Sequence, residues 1–171
     1  MESLAATPLA GDMTPTEQVT TIVATVLTGL VAGTFFAYAT SVMPALRRLD
    51  DRTFIDVMQK INITIQNPVF FTAFFGAPAF AAVTVGLQAA NGNASGWTIA
   101  ALALNIAGLL ITTAANIPLN NALDAAGEPA AIAEPGAVRT RFERTWNAWN
   151  AARGAVLIAA VICLGMALRG R

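Results

Sequence analysis

The chain has 171 residues, 56 % of them hydrophobic and 12 % charged, with ten Lys+Arg against ten Asp+Glu and no histidine. A soluble domain carries about 25 % charged residues, so this composition excludes an ordinary water-soluble domain, and the zero net charge offers no basic field for nucleic acid. The missing histidine excludes His-ligated haem, zinc or non-haem iron, and the single Cys163 excludes an intrachain disulfide or a CxxC redox pair.

The charges are unevenly spread. None lies in the 29 residues from Gln18 to Leu46, the 63 from Ile61 to Leu123, or the 15 from Gly154 to Leu168. A spanning helix needs roughly 20 apolar residues, so the pattern reads as one span, then two, then one. The fold expected is all-α: an integral membrane four-helix bundle, with spans at about 18–43, 68–88, 97–118 and 149–168. No further motif of the GxGxxG, Walker or zinc-spacing type is present.

Residues 1–13 read as a flexible tail, and residues 14–171 as one domain. The tail has neither a basic n-region nor an apolar core, so it is not a signal peptide, and span 1 is expected to serve as its own insertion signal. Thr14-Pro15-Thr16-Glu17 is a capping box with proline at N1, which starts a helix. That helix is expected to run to Met43, where Pro44 kinks or ends it. Thr25, Gly29, Gly33, Ala37 and Ser41 recur every four residues as a small-residue ridge. Such ridges let helix backbones approach closely in lipid. The preferred reading is packing against a neighbouring span; the alternative is a homo-oligomer or partner-subunit seam through Gly29 and Gly33.

Residues 47–65 hold seven charges, with Phe54, Val57, Met58, Ile61 and Ile65 on one helical face. They predict an amphipathic helix between spans 1 and 2, lying on the membrane or capping the bundle. Asn67-Pro68 is an N-cap and N1 pair that opens span 2, with a bend expected at Gly76-Ala77-Pro78. The turn Asn91 to Gly96 makes spans 2 and 3 antiparallel neighbours. A Gly/Pro-broken loop, Asp124 to Gly136, leads to a last helix from about Ala137 to Leu168. Its 32 residues reach about 48 Å against a ~30 Å hydrocarbon core, so its first part projects from the membrane.

Span 3 carries Asn105, Thr112 and Asn116 on one face and ends in Asn120 and Asn121. An amide facing lipid costs several kcal/mol without a partner, so these side chains should face the bundle. The last helix carries Trp146, Trp149, Asn150 and Arg153 at i, i+3, i+4 and i+7. Alternation of the spans brings Ser41, Asn62, Asn67, Asn116, Asn120, Trp146, Asn150 and Arg153 to one mouth of the bundle. The other mouth is expected to be almost free of polar side chains outside its turn. A one-sided polar pocket over apolar helices has the shape of a small-molecule site. Each member also has a plainer reading. Trp146 and Trp149 read equally as an interfacial aromatic belt, Arg153 as a snorkelling anchor, and the amides as a structural polar network.

The run GLVAGTFFAYATSVMPALRRL from Gly29 to Leu49, NIPLNNAL from Asn116 to Leu123, and RxRFExxWxxWNxxR from Arg139 to Arg153 resemble the anthrone oxygenase-like family of small bacterial and fungal membrane proteins. The resemblance covers about residues 20–168. It implies oxidation of anthrones to anthraquinones by O₂ without a cofactor, an activity linked to fungal and polyketide-pathway members. The absence of histidine puts a His-based mechanism out of reach. In that reading the partners are the lipid bilayer and a small apolar aromatic ligand. Arg153 stabilises the substrate anion, and Asn116, Asn120 and Asn150 donate to ring oxygens. Trp146 and Trp149 stack on the rings, with Asn62 and Asn67 completing the substrate-binding set. Glu143 is the candidate base on the last helix and Asp56 its alternative; no metal is assigned. The competing hypothesis is a non-catalytic membrane protein, either a lipid or quinone binder or an accessory subunit of a membrane complex.

Eight Lys/Arg lie in the segments joining spans 1 to 2 and 3 to 4, against two on the opposite side. The positive-inside rule then puts both large connections in the cytoplasm and both termini outside the cell membrane. With Cys163 replaced, single cysteines at Asp51 and Glu134 should be shielded from an impermeant thiol reagent in intact cells. Labelling of both from outside would reverse the orientation.

Overall fold

The computed structural model of the chain describes residues 13–169. The tail expected at residues 1–13 therefore lies, apart from Met13, outside the described residues. The described residues contain no strand and five helices: α1 (Pro15–Leu46), α2 (Asp51–Thr64), α3 (Pro68–Ala90), α4 (Gly96–Asp124) and α5 (Pro135–Leu168). Four of them, α1, α3, α4 and α5, are long and apolar enough to cross a membrane.

The N-termini form as the sequence dictates. Thr14 Oγ1 accepts from Glu17 N–H at 3.3 Å, and Glu17 Oε2 accepts from Thr14 N–H at 2.8 Å, the reciprocal box that satisfies two orphan donors. Asn67 Oδ1 accepts from Phe70 N–H at 3.0 Å to open α3. Asp50 caps α2, and a 2.6 Å hydrogen bond donated by Thr53 Oγ1 helps hold its carboxyl below the usual range.

Pro44, where the sequence places a kink or an end, does not end α1, and Pro118 does not end α4. Each is preceded by one widened π-type turn, Tyr38–Val42 in α1 and Thr112–Asn116 in α4. A proline ring crowds the carbonyl four residues back and lacks the N–H that would bond it. Here the residue before each proline donates one residue further back: Met43 N–H to Tyr38 O, and Ile117 N–H to Thr112 O. The chain absorbs the extra residue and the helix continues, so α1 gains Pro44 to Leu46 and α4 gains a polar last turn to Asp124. Pro78, by contrast, sits inside an unbroken α3.

Around the bundle the order is α3, α1, α5, α4, with α3 and α4 packed less closely than the other neighbours. The far half is held by small residues: Ala24, Ala81 and Ala101 are fully buried beside Leu164. The middle is Val31, Ala32, Phe35, Phe74 and Leu157. α2 caps the near mouth. Its Phe54, Ile55 and Met58 are buried against Met43, Leu123, Phe142 and Trp146, so its apolar face is spent on the protein. The outer faces of the long helices expose Val19, Val26, Leu30, Phe36, Val69, Leu110 and Ile162, an apolar mantle that only lipid would solvate well.

Two expectations are corrected. The Thr25–Ser41 ridge does not pack inside the bundle. Gly33, Ala37 and Ser41 face outward, and a Cβ added at Gly29 or Gly33 meets nothing within 4 Å. Close approach falls elsewhere: a Cβ at Gly76 would stand 2.8 Å from Leu27 Cδ1, and one at Gly108 3.0 Å from Leu157 Cδ2. A four-residue repeat of small residues marks a smooth face but not which neighbour it meets. The far mouth, expected to be nearly free of polar groups, holds a buried polar cluster. Glu17 is fully buried and accepts from Asn91 Nδ2 at 2.9 Å and Asn93 Nδ2 at 3.1 Å. Gln88 Oε1 accepts from Thr98 Oγ1 at 2.5 Å, and Thr84 donates to Thr20 at 2.9 Å.

Gly108→Leu should therefore lower the stability of the purified protein by about 1–3 kcal/mol, because it overpacks the α4–α5 seam. Gly33→Leu should leave the melting temperature in detergent unchanged. A melt of both variants checks the assignment of the seam.

Candidate functional site

A cavity of about 270 Å³ lies at the near mouth, lined from all five helices. The two widened turns sit at its level: Tyr38 from the first, Thr112 and Thr113 from the second, all line it. Such turns re-aim side chains that a regular helix would place elsewhere. Phe70, Phe71, Phe74 and Phe75 of α3 form an aromatic wall, while Asn62, Gln66, Asn120, Asn121 and Asp124 make the opposite rim polar. Phe75 is 54 % exposed and Phe71, Thr113 and Ile117 are exposed as well, so the cavity reaches the outer surface where α3 and α4 diverge.

Arg153 is the cation of this cavity among the described residues. Its side chain lies between aromatic faces, with Cζ 3.8 Å from the Phe35 ring centroid and 5.4 Å from that of Trp146. Asn150 Oδ1 accepts from its Nε at 3.3 Å and its Nη2 at 3.0 Å, and Asn150 Nδ2 donates to Phe35 O at 3.1 Å. The residue is only 7 % exposed. Among the described residues no carboxylate comes within 4.0 Å of it, and no protein acceptor takes a hydrogen bond from Nη1. Burying an ion without a counter-ion is costly. The rings and one amide offset part of that cost and leave one edge of the fork free toward the cavity.

Trp146 is fixed beside it. Its Nε1 donates to Asn120 Oδ1 at 2.8 Å, and its ring lies 5.8 Å from that of Tyr38. Asn116 is fully buried behind this pair; its Nδ2 reaches Trp146 O at 3.5 Å while its Oδ1 has no partner.

Of the residues singled out in the sequence, Asn62, Asn120, Trp146 and Arg153 line one cavity. Asn116 and Asn150 stand directly behind it. Asn67 is occupied in capping α3 and bonds Thr64 O. Trp149 is 43 % exposed and Ser41 exposed, both outside the lining. Glu143 lies outside it too, paired with Arg139 Nε at 2.7 Å and Arg47 Nε at 3.2 Å. Arg139 in turn bonds Asp51 Oδ1 at 3.0 Å and Leu49 O at 2.8 Å and covers the Phe54 ring at 4.4 Å. This network clamps the α1–α2 corner onto α5. Asp56 pairs with Lys60 on the exposed face of α2.

Sequence reasoning missed Asp124 as a lining residue. The signal for Asp124 was present: Asn116, Asn120 and Asp124 are spaced by four, but the register counts only if the helix survives Pro118.

The fold is a bundle of four helices long and apolar enough to cross a membrane, with an aromatic-walled cavity at one mouth. The sequence model of the anthrone oxygenase family matches residues 68–163, more than half of the chain, which therefore belongs to that family. No curated protein and no solved structure matches the chain.

If Arg153 serves a ligand more than the fold, Arg153→Met should keep or raise thermal stability in detergent. A buried ion without a counter-ion costs several kcal/mol of desolvation, and an apolar side chain of similar length removes that cost. A loss of about 3 kcal/mol or more would mark Arg153 as a structural member of its network.

Proposed function

We propose that the chain binds a flat, apolar aromatic carbon acid of the anthrone type in the α1–α5 cavity and oxidises it with O₂. The observation that carries this reading is Arg153, buried at 7 % exposure, lining the cavity and without a carboxylate partner among the described residues. Loss of one proton from the methylene between the two aryl rings spreads negative charge onto the substrate oxygen. A buried guanidinium with a free edge stabilises that charge more in the anion than in the neutral ketone, and differential binding of this kind is what accelerates a reaction. The electron-rich anion then reduces O₂ itself. One anthrone and one O₂ give one anthraquinone and one water, so no external reductant enters the balance.

Each wall has a part in this reading. The Phe70–Phe75 wall and Trp146 accept the ring faces. Asn120, held by Trp146, and Asn62 supply hydrogen bonds at the rim. The exposed Phe71 and Phe75 give an apolar ligand a route from lipid between α3 and α4. Asn67 and Trp149 support the site from outside it, by capping α3 and facing the interface. In the orientation expected from the Lys/Arg distribution the near mouth faces the cytoplasm.

The test is O₂ uptake by purified protein with an anthrone, monitored beside anthraquinone absorbance. The wild type should accelerate the reaction above the spontaneous rate. Arg153→Lys should lose about 10²-fold or more, since an ammonium lacks the planar fork, and Asn120→Ala about tenfold. Saturable anthraquinone binding without accelerated uptake would favour the non-catalytic binder.

A further inference from the structure

We propose that Asp124 is the base that takes the carbon-bound proton in this cavity, an assignment that rests on the oxidation reading above. Asp124 is the only carboxylate among the described lining residues. Glu143, the acid of the last-helix stripe, is held by Arg139 and Arg47 outside the lining.

Asp124 is also placed where stability would not put it. It is the last residue of α4, with no basic residue in that turn and no ion pair among the described residues. The negative end of a helix disfavours a carboxylate. Its one side-chain partner is Asn62, whose Nδ2 lies 3.5 Å from Oδ1. Asn62 is buried and lines the same cavity. A residue that breaks a local rule with only one long hydrogen bond to offset it is expected at a functional position. The side chain is exposed at the mouth, so the proton it takes has water to go to.

The step balances. A C–H bond of the substrate methylene breaks, the proton goes to an Asp124 carboxylate oxygen, and the electron pair stays in the ring system under Arg153. After O₂ adds at that carbon, Asp124 returns the proton to the distal peroxide oxygen. It then removes the second C–H proton as the O–O bond breaks. One oxygen remains as the new carbonyl, and the other leaves as hydroxide, which takes the proton from Asp124 to become water and restores the carboxylate. A weak carboxylate base can serve a much weaker carbon acid when a positioned donor stabilises the anion.

Deprotonation can be read without oxidation. Under anaerobic conditions in D₂O, the wild type should speed deuterium exchange into the methylene of an anthrone, followed by mass spectrometry. Asp124→Asn should reduce the protein-dependent rate about 10²-fold or more, Asp124→Glu should restore part of it, and both should bind anthraquinone within about twofold of wild type. Asp124→Asn should melt no lower than wild type, because it removes charge from a helix C-terminus. Exchange at the wild-type rate in Asp124→Asn overturns the assignment. Loss of anthraquinone binding together with exchange in both variants makes Asp124 a structural residue and overturns it too. A wild type that binds no anthraquinone and speeds no exchange overturns the oxidation reading, and the role of Asp124 with it.

Discussion

The guanidinium of Arg153 carries a charge that neither lipid nor a packed apolar core can solvate. Its surroundings answer that constraint one contact at a time. Phe35 and Trp146 offer their ring faces, and Asn150 offers an oxygen while its own amide is satisfied by the Phe35 carbonyl. Trp146 in turn is anchored through Asn120 on α4. One buried cation thus couples α1, α4 and α5 at a single level. These contacts orient the charge without neutralising it, and the cavity exists on the side that remains open.

The prolines set that level. In a regular helix the rings of Pro44 and Pro118 would crowd the carbonyl four residues back, and the widened turns make room for them. With them, the helices continue and rotate Tyr38, Thr112 and Thr113 toward the cavity. The same five-residue turn stands at the same end of α1 and α4, so the cavity is widened from two of its walls at once.

The spans, the amphipathic α2, the caps at Thr14 and Asn67, and the meeting of Asn62, Asn120, Trp146 and Arg153 were legible in the sequence because each rests on spacing or on a local cap. What was not legible depends on rotation and register. The Gly29–Gly33 ridge has the spacing of a helix seam, but α1 turns it outward and gives Val31 and Phe35 to the core. Glu143 lies on the same helix as Arg153 yet is drawn to Arg139 and Arg47, a competition that only the corner at Leu49 reveals. Asp124 enters the site only because α4 outlives Pro118.

At the opposite mouth, Glu17 is the contact that closes the bundle. Its carboxylate is buried, and its side-chain donors are Asn91 and Asn93 in the turn between α3 and α4. During synthesis, α1 leaves the ribosome long before that turn exists. Until residue 93 has emerged, past the midpoint of the 171-residue chain, Glu17 has only its own capping box and water. The burial of Glu17 therefore depends on a turn 74 to 76 residues further along the chain. The two amides of that turn tie the first turn of α1 to the α3–α4 connection, so a carboxylate near the start of the chain finds its partners only past the chain's midpoint.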